Sequence, residues 1–221
     1  NLFASFFERN LQKEQIIISP AIEIKFFSRP KILKKTTNLI FTSSNGVKAA
    51  GQAVNDNIRA ICVGDRTTSL ASSLGYSAEK YGDNVEQLIK KLCLSKKIEG
   101  DILHIRGKYT KVDLMNRLRE AGFLCHEWEG YDQIAKNLSF QALNAFKNGE
   151  KIILPIFSER SGRLLKDQIP NFDKSHIIAI SSAVANVFLD VSPASISEAQ
   201  TPDLVGMRSS TKTVLENAHL E

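Results

Sequence analysis

The fold is most evident in one stretch near the N-terminus, Leu39-Ile40-Phe41-Thr42-Ser43-Ser44-Asn45-Gly46-Val47-Lys48-Ala49. It begins with an apolar run of the length of a buried strand and continues into a helical pattern. The hydroxyl and amide side chains between the two are of the kind that begin helices. The stretch therefore predicts a strand, a polar turn and a helix, the repeating unit of an α/β protein with a parallel sheet.

Similar units follow along the rest of the chain, where short apolar runs alternate with helical patterns. Gly75, Gly122 and Gly149 stand where helices would end, at positions that favour a left-handed residue. Strands are predicted over residues 15–19, 38–42, 60–63, 77–81, 101–105, 124–128, 151–157, 176–180 and 194–197. Helices are predicted over residues 45–54, 67–74, 84–94, 112–121, 140–148, 161–168, 182–189 and 202–217.

The chain also contains a weak internal repeat. Residues 41–46 resemble residues 157–162 at an offset of 116, and Ile61 and Ile177 keep that offset. Each copy has a strand, a Ser/Thr/Gly turn and a helix. Periodicity alone leaves two arrangements open, two similar α/β lobes or one continuous sheet.

Composition excludes several classes of site. Lys and Arg number 29 against 24 Asp and Glu, so the formal net charge is +5, but the excess is scattered and marks no nucleic-acid-binding arm. Cys62, Cys93 and Cys125 form no CxxC pair, and the four histidines form no HExxH pattern. No apolar run is long enough for a membrane span. We therefore expect a cytoplasmic protein without a metal, a membrane partner or a nucleic-acid partner.

Polar turns follow most of the predicted strands, and they are the candidate ligand site. The carboxyl ends of parallel strands meet at one edge of a sheet, where helix N-termini present free N–H groups. Two facing lobes would form a cleft suited to a ligand with many carboxylates or phosphates. Each turn alone is equally consistent with ordinary helix capping. The sequence has no GxGxxG, P-loop or GxSxG motif, which favours an enzyme that holds a reactive substrate in one geometry.

These turns, taken in order, resemble the uroporphyrinogen-III synthase family over almost the whole chain. The matching segments are residues 20–24, 39–49 and 61–64, Thr67-Thr68, Leu74-Gly75, Gly82-Asp83-Asn84 with Leu88, Ile105-Arg106-Gly107, Leu118 with Ala121-Gly122, Tyr131, Phe157-Ser158 with Ser161, and Thr201-Pro202.

The resemblance implies two similar flavodoxin-like lobes with parallel sheets, joined by a two-stranded connector. The first lobe would be discontinuous, residues 1–19 plus 133–221, and would lack the N-terminal strand usual in the family. The second lobe would be residues 20–132. The connector would fall near residues 20–24 and 131–135, and a monomer is expected.

The resemblance also implies a lyase that closes the linear tetrapyrrole hydroxymethylbilane to uroporphyrinogen III, without a cofactor, and inverts the last pyrrole ring. Tyr131 would be the catalytic residue, donating a hydrogen bond to the departing hydroxyl. Substrate carboxylates would contact hydroxyl, amide and guanidinium groups of the turns, namely Thr42, Ser43, Ser44, Thr67, Thr68, Asn84, Arg106, Ser158, Ser161 and Thr201. Lys48, Arg66, Lys108 and Arg160 are weaker candidates.

Two other classes stay open at this point. One is a two-lobed module that binds a small anion without catalysis. The other is a nucleic-acid-associated regulator, which only the basic net charge supports.

Overall fold

The structure is a computed structural model that describes residues 3–8, 15–30, 36–54, 57–95, 98–110 and 112–218. Close contacts divide the chain into two units. Unit 1 consists of Asn1–Glu23 and Ala135–Glu221, and unit 2 consists of Ile24–Ile134. The first helix, α1 (Ala4–Glu8), belongs to unit 1.

Unit 2 alternates strands and helices. The first two residues of β1 and the last residue of β6 belong to unit 1. In chain order the elements are β1 (Ile22–Phe26), β2 (Asn38–Phe41), α2 (Ser44–Ala50), β3 (Arg59–Val63), α3 (Asp65–Ser73), β4 (Ser77–Gly82), α4 (Val85–Ser95), β5 (Ile102–Gly107), α5 (Leu114–Glu120) and β6 (Cys125–Ala135). The described strands form a sheet in the order β1-β6-β5-β2-β3-β4. From β6 to β4 every neighbouring pair is parallel.

Strand β1 pairs with β6 at the edge of this sheet. The N–H of Phe27 donates to the carbonyl of Gly130, and the N–H of Lys136 donates to the carbonyl of Ala21, each at 2.9 Å. Residue numbers rise on one strand as they fall on the other, so this pair is antiparallel.

Helices cover both faces of the sheet in unit 2. Alternation along β2 places Phe41 on the face of α2 and α3, where it packs near Val47, and Ile40 on the face of α4 and α5, near Leu88. All four side chains are fully buried. A parallel sheet covered on both faces needs continuous apolar strands, which explains the apolar runs in the sequence.

The second part of unit 1 repeats this pattern on a smaller scale. Its elements are α6 (Phe140–Lys147), β7 (Ile152–Ile156), α7 (Glu159–Lys166), β8 (Ser175–Ala179), α8 (Ser182–Ala185), a 3₁₀ turn (Asn186–Phe188), β9 (Ser195–Glu198) and α9 (Leu204–Ala218). The described strands form a parallel sheet in the order β7-β8-β9. The predicted α/β fold with parallel sheets is thus confirmed.

The strand predicted over residues 15–19 is wrong, because this segment has no regular structure. Ile17 packs against the core of unit 1, but Ile18 is 53% exposed. An apolar run alone cannot specify a strand when no neighbouring strand satisfies its backbone groups.

Candidate active site

The carboxyl ends of the parallel strands in unit 2 meet at one edge of its sheet. The turns after β2, β3, β4 and β5 lie there, as does the region of β6 that contains Tyr131. In sheets of this class ligands bind at that edge. The parallel pairing therefore brings together the predicted site residues of unit 2.

Ser43 and Tyr131 form the closest polar contact between two predicted site residues from different strands. The Oγ of Ser43 lies 2.9 Å from the phenolic oxygen of Tyr131. Ser43 is also the N-cap of α2, and its Oγ accepts a hydrogen bond from the N–H of Gly46 at 3.4 Å. Tyr131 is only 7% exposed, so its ring is held by the core and its hydroxyl by Ser43.

A β-bulge turns Tyr131 toward Ser43. Arg106 of β5 is paired with Glu129, but Gly107 is paired with Tyr131, so β6 contains one extra residue, Gly130. Without the bulge Tyr131 would point to the same face as Glu129, on the side of Arg106. With it, Tyr131 joins Trp128 on the face that α2 covers. The bulge therefore determines which side of the sheet carries the phenol.

Two glycines allow the parts of this site to approach closely. A Cβ on Gly107 would lie 2.8 Å from Cε2 of the Tyr131 ring, and a Cβ on Gly46 would lie 2.7 Å from the carbonyl oxygen of Ile105. Contacts this short do not occur for real side chains, so Gly107 makes room for the ring and Gly46 makes room for α2 against β5.

Thr42 and His104 lie on the opposite face of the same strand ends. The Oγ1 of Thr42 is 3.3 Å from Nε2 of His104, whose side chain is buried. Burial lowers the pKa of His104 to about 4, with an opposing contribution from the charge of Glu127. His104 also lines a cavity of about 330 Å3 together with Arg106 and Asp113. At neutral pH this face of the site therefore carries an uncharged imidazole.

Arg106 is held by groups of the protein itself. Its guanidinium pairs with Glu127 at 2.9 Å and Glu129 at 3.0 Å, and donates to the carbonyls of Gly107 and Lys108. The hydrogen bond with Glu127 raises the pKa of Arg106. A substrate carboxylate would compete with two carboxylates already present, so the binding role of Arg106 stays a prediction and lacks local electrostatic support.

The other predicted residues of unit 2 begin helices. Ser44 is the first residue of α2, and Thr67 is buried in the first turn of α3. Thr68 donates to the carbonyl of Gly64 at 2.9 Å, and the side chain of Asn84 accepts from the N–H of Gln87 at 3.0 Å. These contacts are those of ordinary helix starts, and a role in binding remains a prediction for each residue.

In unit 1 the predicted residues also stand at the carboxyl ends of strands. Ser158 is the N-cap of α7, accepts from the N–H of Ser161 at 3.1 Å, and shares a hydroxyl hydrogen bond with Ser161 at 2.8 Å. Thr201 donates to the carboxylate of Asp203 at 3.1 Å.

Asp203 is a residue that sequence reasoning did not single out. Its carboxylate accepts from the N–H groups of Val205 and Gly206 at the start of α9, and the bond from Gly206 lowers its pKa. An anion of the protein thus already occupies the donors beside Thr201. Its position before a helical pattern was the available signal, since Asp is a preferred N-cap.

The weaker basic candidates lie mostly on the surface. Lys48, Arg66 and Lys108 are exposed, and Nζ of Lys108 is 3.9 Å from a carboxylate oxygen of Asp132. Arg160 is half-buried in the first turn of α7. None of these positions is specific to substrate binding.

Within the described ranges, no three His, Cys, Asp or Glu side chains converge as metal ligands. Over the same ranges no helix has the length and apolar character needed to cross a membrane.

Comparison with known proteins identifies the family. The family model described as uroporphyrinogen-III synthase HemD matches residues 10–207. Uroporphyrinogen-III synthetase from Helicobacter pylori shares the fold, with a TM-score of 0.68, 17% identity and coverage of 88% of this chain and 91% of that one. A mutant uroporphyrinogen III synthase from Thermus thermophilus also shares the fold, with a TM-score of 0.56, 12% identity and coverage of 98% of this chain and 94% of that one. No curated protein matches the chain. Because the family model spans most of its length, the chain belongs to the uroporphyrinogen-III synthase family.

Proposed function

We propose that this chain is a uroporphyrinogen-III synthase, which converts hydroxymethylbilane to uroporphyrinogen III. The family match supports this reading. The observation that carries it in the structure is the Ser43–Tyr131 pair, a phenol held at the edge of the sheet where α/β proteins bind ligands.

The reaction starts when the terminal hydroxyl and a pyrrole N–H proton leave as water, which gives an electrophilic azafulvene. The substituted α-carbon of the last ring attacks the methylene carbon from which the hydroxyl left and forms a spiro intermediate. The bond from the spiro carbon to the methylene bridge of the neighbouring ring then breaks, and that methylene carbon bonds to the other α-carbon of the last ring. The proton released from this α-carbon balances the one taken up to restore the pyrrole N–H lost in the first step. The net change is loss of one water molecule and inversion of the last ring.

The protein would act mainly by holding the substrate in the conformation that leads to inversion. Unassisted closure proceeds without inversion, so the enzyme must bind one transition state better than the competing one. Eight substrate carboxylates need many donors. The hydroxyl, amide and N–H groups of the strand ends supply them, through Thr42, Ser44, Thr67, Thr68, Asn84, Ser158, Ser161 and Thr201 and through the backbone N–H of Ser43, and the net charge of +5 favours an anionic substrate.

Tyr131 would be the catalytic residue. Its hydroxyl would donate a hydrogen bond to the departing oxygen as the C–O bond breaks and negative charge grows there. This demands little of the phenol, since a pyrrole-activated hydroxyl leaves readily.

The finer architecture belongs to the same proposal. We infer two flavodoxin-like lobes, residues 1–19 plus 133–221 and residues 20–132, with β1 and β6 as the two-stranded connector. The division of contacts at residues 23/24 and 134/135 and the pairing of β1 with β6 support this. A cytoplasmic monomeric lyase without a cofactor is part of the proposal.

The test is to incubate the protein with freshly generated hydroxymethylbilane and to separate the uroporphyrinogen isomers, with boiled protein as the control. We expect isomer III, formed much faster than spontaneous closure and also after exhaustive chelation. Isomer I alone, at the rate of the boiled control, would refute the synthase and favour the anion-binding module. Activity lost on chelation and restored by one metal would refute the cofactor-free mechanism.

A further inference from the structure

We propose that Ser43 is a positioning residue, which donates its hydroxyl hydrogen to the oxygen of Tyr131 and so leaves the phenolic hydrogen free for the substrate. This inference rests on the proposed function and concerns the same site. Four features of unit 2 carry it: the strand register, the bulge at Gly130, the missing side chain at Gly107 and the hydrogen bonds available to Ser43.

The register places the two hydroxyls at the same level of the sheet. Phe41 is paired with Ile105, so Ser43, two residues further on, stands level with Gly107. Gly107 in turn is paired with Tyr131. The three residues thus form a row across β2, β5 and β6, in which the outer two stand two strand spacings apart, about 9–10 Å.

The tyrosine spans this gap because the middle position has no side chain. Its ring lies directly over the Gly107 backbone, where a Cβ would be 2.9 Å from Cζ and 3.2 Å from the phenolic oxygen. The extra residue in β6 is also glycine, and a Cβ on Gly130 would lie 2.8 Å from the Cβ of Ala49. Both glycines are therefore needed for the phenol to reach Ser43.

The 2.9 Å distance allows either hydroxyl to donate, and we infer the direction from the groups around Ser43. The Oγ of Ser43 already accepts from the N–H of Gly46, so one lone pair is used. In the described part of the chain, the phenolic oxygen of Tyr131 is the only acceptor placed for the Ser43 hydrogen. If Ser43 donates, the Tyr131 hydrogen stays available for the leaving hydroxyl. If Tyr131 donated to Ser43 instead, its hydrogen would already be bonded to the protein and could not reach the substrate.

This arrangement makes a specific kinetic prediction. Without the Ser43 hydroxyl, the phenolic oxygen loses its fixed donor, and the Tyr131 hydrogen can rotate away from the substrate. Turnover should fall while substrate binding, which depends on the carboxylates, changes little. A hydroxyl of the same geometry should restore turnover.

The test measures kcat and KM for isomer III formation in Ser43→Ala, Ser43→Thr, Tyr131→Phe and the Ser43→Ala/Tyr131→Phe double variant. We expect kcat of Ser43→Ala to fall about fivefold to tenfold, with KM within about twofold of wild type. Ser43→Thr should stay within about twofold of wild type in both constants. The double variant should turn over like Tyr131→Phe alone, because Ser43 acts through that hydroxyl.

Two controls separate positioning from helix capping. Ser139→Ala removes the N-cap of α6, whose Oγ accepts from the N–H of Ala142 at 3.2 Å, and should leave kcat unchanged. Ser43→Gly removes the hydroxyl but keeps a residue tolerated at N-caps, so it should fold and show the loss in kcat even where Ser43→Ala does not fold.

The outcomes distinguish this inference from the proposed function. Wild type that forms isomer III, together with Ser43→Ala and Ser43→Gly at wild-type kcat, would overturn the positioning role alone. Losses that multiply in the double variant would also overturn it, since Ser43 would then act without Tyr131. Wild type that forms only isomer I would overturn the proposed function, and the positioning role with it.

Discussion

Ser43 in unit 2 and Ser158 in unit 1 begin equivalent helices but use their hydroxyls differently. Both have an extended backbone, with φ −156° and −162°, and both accept from the N–H three residues ahead. The Ser43 hydroxyl then contacts Tyr131 on another strand, whereas the Ser158 hydroxyl contacts Ser161 in its own helix. The cap is a general feature of the turn, and its second partner is what distinguishes unit 2.

The residue before each cap shows the same difference. Thr42 contacts the buried His104, but the position before Ser158 is Phe157, whose ring packs on Phe3 with centroids 5.2 Å apart. The strand end of unit 2 is therefore a polar network, and that of unit 1 is partly covered by an aromatic contact. The aligned caps differ by 115 residues rather than the predicted offset of 116, so the sequence repeat pairs Ser43 with the wrong residue, Glu159.

The largest effect is expected from closing the gap that Tyr131 spans. Gly107→Ala places a Cβ 2.8 Å from the ring, so the ring must move away from Ser43. We expect turnover to fall by about tenfold or more and the free energy of unfolding to fall by about 1–3 kcal/mol. Gly107→Val should lower both further. Steady-state kinetics and denaturant unfolding check this. Wild-type turnover in Gly107→Ala would mean that turnover does not depend on the contact between Ser43 and Tyr131.

Acid should destabilise the protein through His104. Its folded pKa of about 4 lies below the ordinary histidine value of 6.5, so the unfolded chain binds the proton more tightly. This stabilisation is complete above about pH 6.5 and is lost as the pH falls toward 4, on the order of 3 kcal/mol in total. Between pH 8 and pH 4 the free energy of unfolding should fall less in His104→Gln than in wild type. An identical pH dependence in both proteins would contradict the assignment.

The smallest effect is expected when the N-cap serines of α2 and α7 are each replaced by alanine and the two variants are compared. Ser43→Ala and Ser158→Ala should each lower the free energy of unfolding by about 1 kcal/mol through loss of the cap. Ser43→Ala should lose about a further 1 kcal/mol, because it also removes the partner of a buried tyrosine hydroxyl. Denaturant unfolding of both variants measures the difference. Equal losses would show that the Tyr131 contact adds no stability.

Local patterns in the sequence predict most elements of this fold. Apolar runs and capping residues predict β2, α2 and the alternation around them, and Gly75, Gly122 and Gly149 have positive φ at helix ends as predicted. These signals depend only on neighbouring residues, so they can be read without the fold.

The features that create the candidate site depend on pairing between distant strands. A strict two-residue period would place Tyr131 beside Glu129, and only the register with β5 reveals the extra residue at Gly130. The burial of His104 and the two glutamates around Arg106 are equally non-local. Sequence reasoning could therefore name Tyr131 and Ser43 separately, but it could not predict that they touch.

In the proposed mechanism Tyr131 assists the formation of isomer III from this edge of the sheet. The direct measurement is the rate of isomer III formation by wild type and by Tyr131→Phe, in one quenched assay with both proteins shown to be folded. We expect wild type to form isomer III and the variant to form it at least about tenfold more slowly, a loss of about 1.4 kcal/mol of transition-state stabilisation. Equal rates in the two folded proteins would contradict a role for Tyr131 in the chemistry, and the shape of the site and its binding of the carboxylates would then be the source of catalysis.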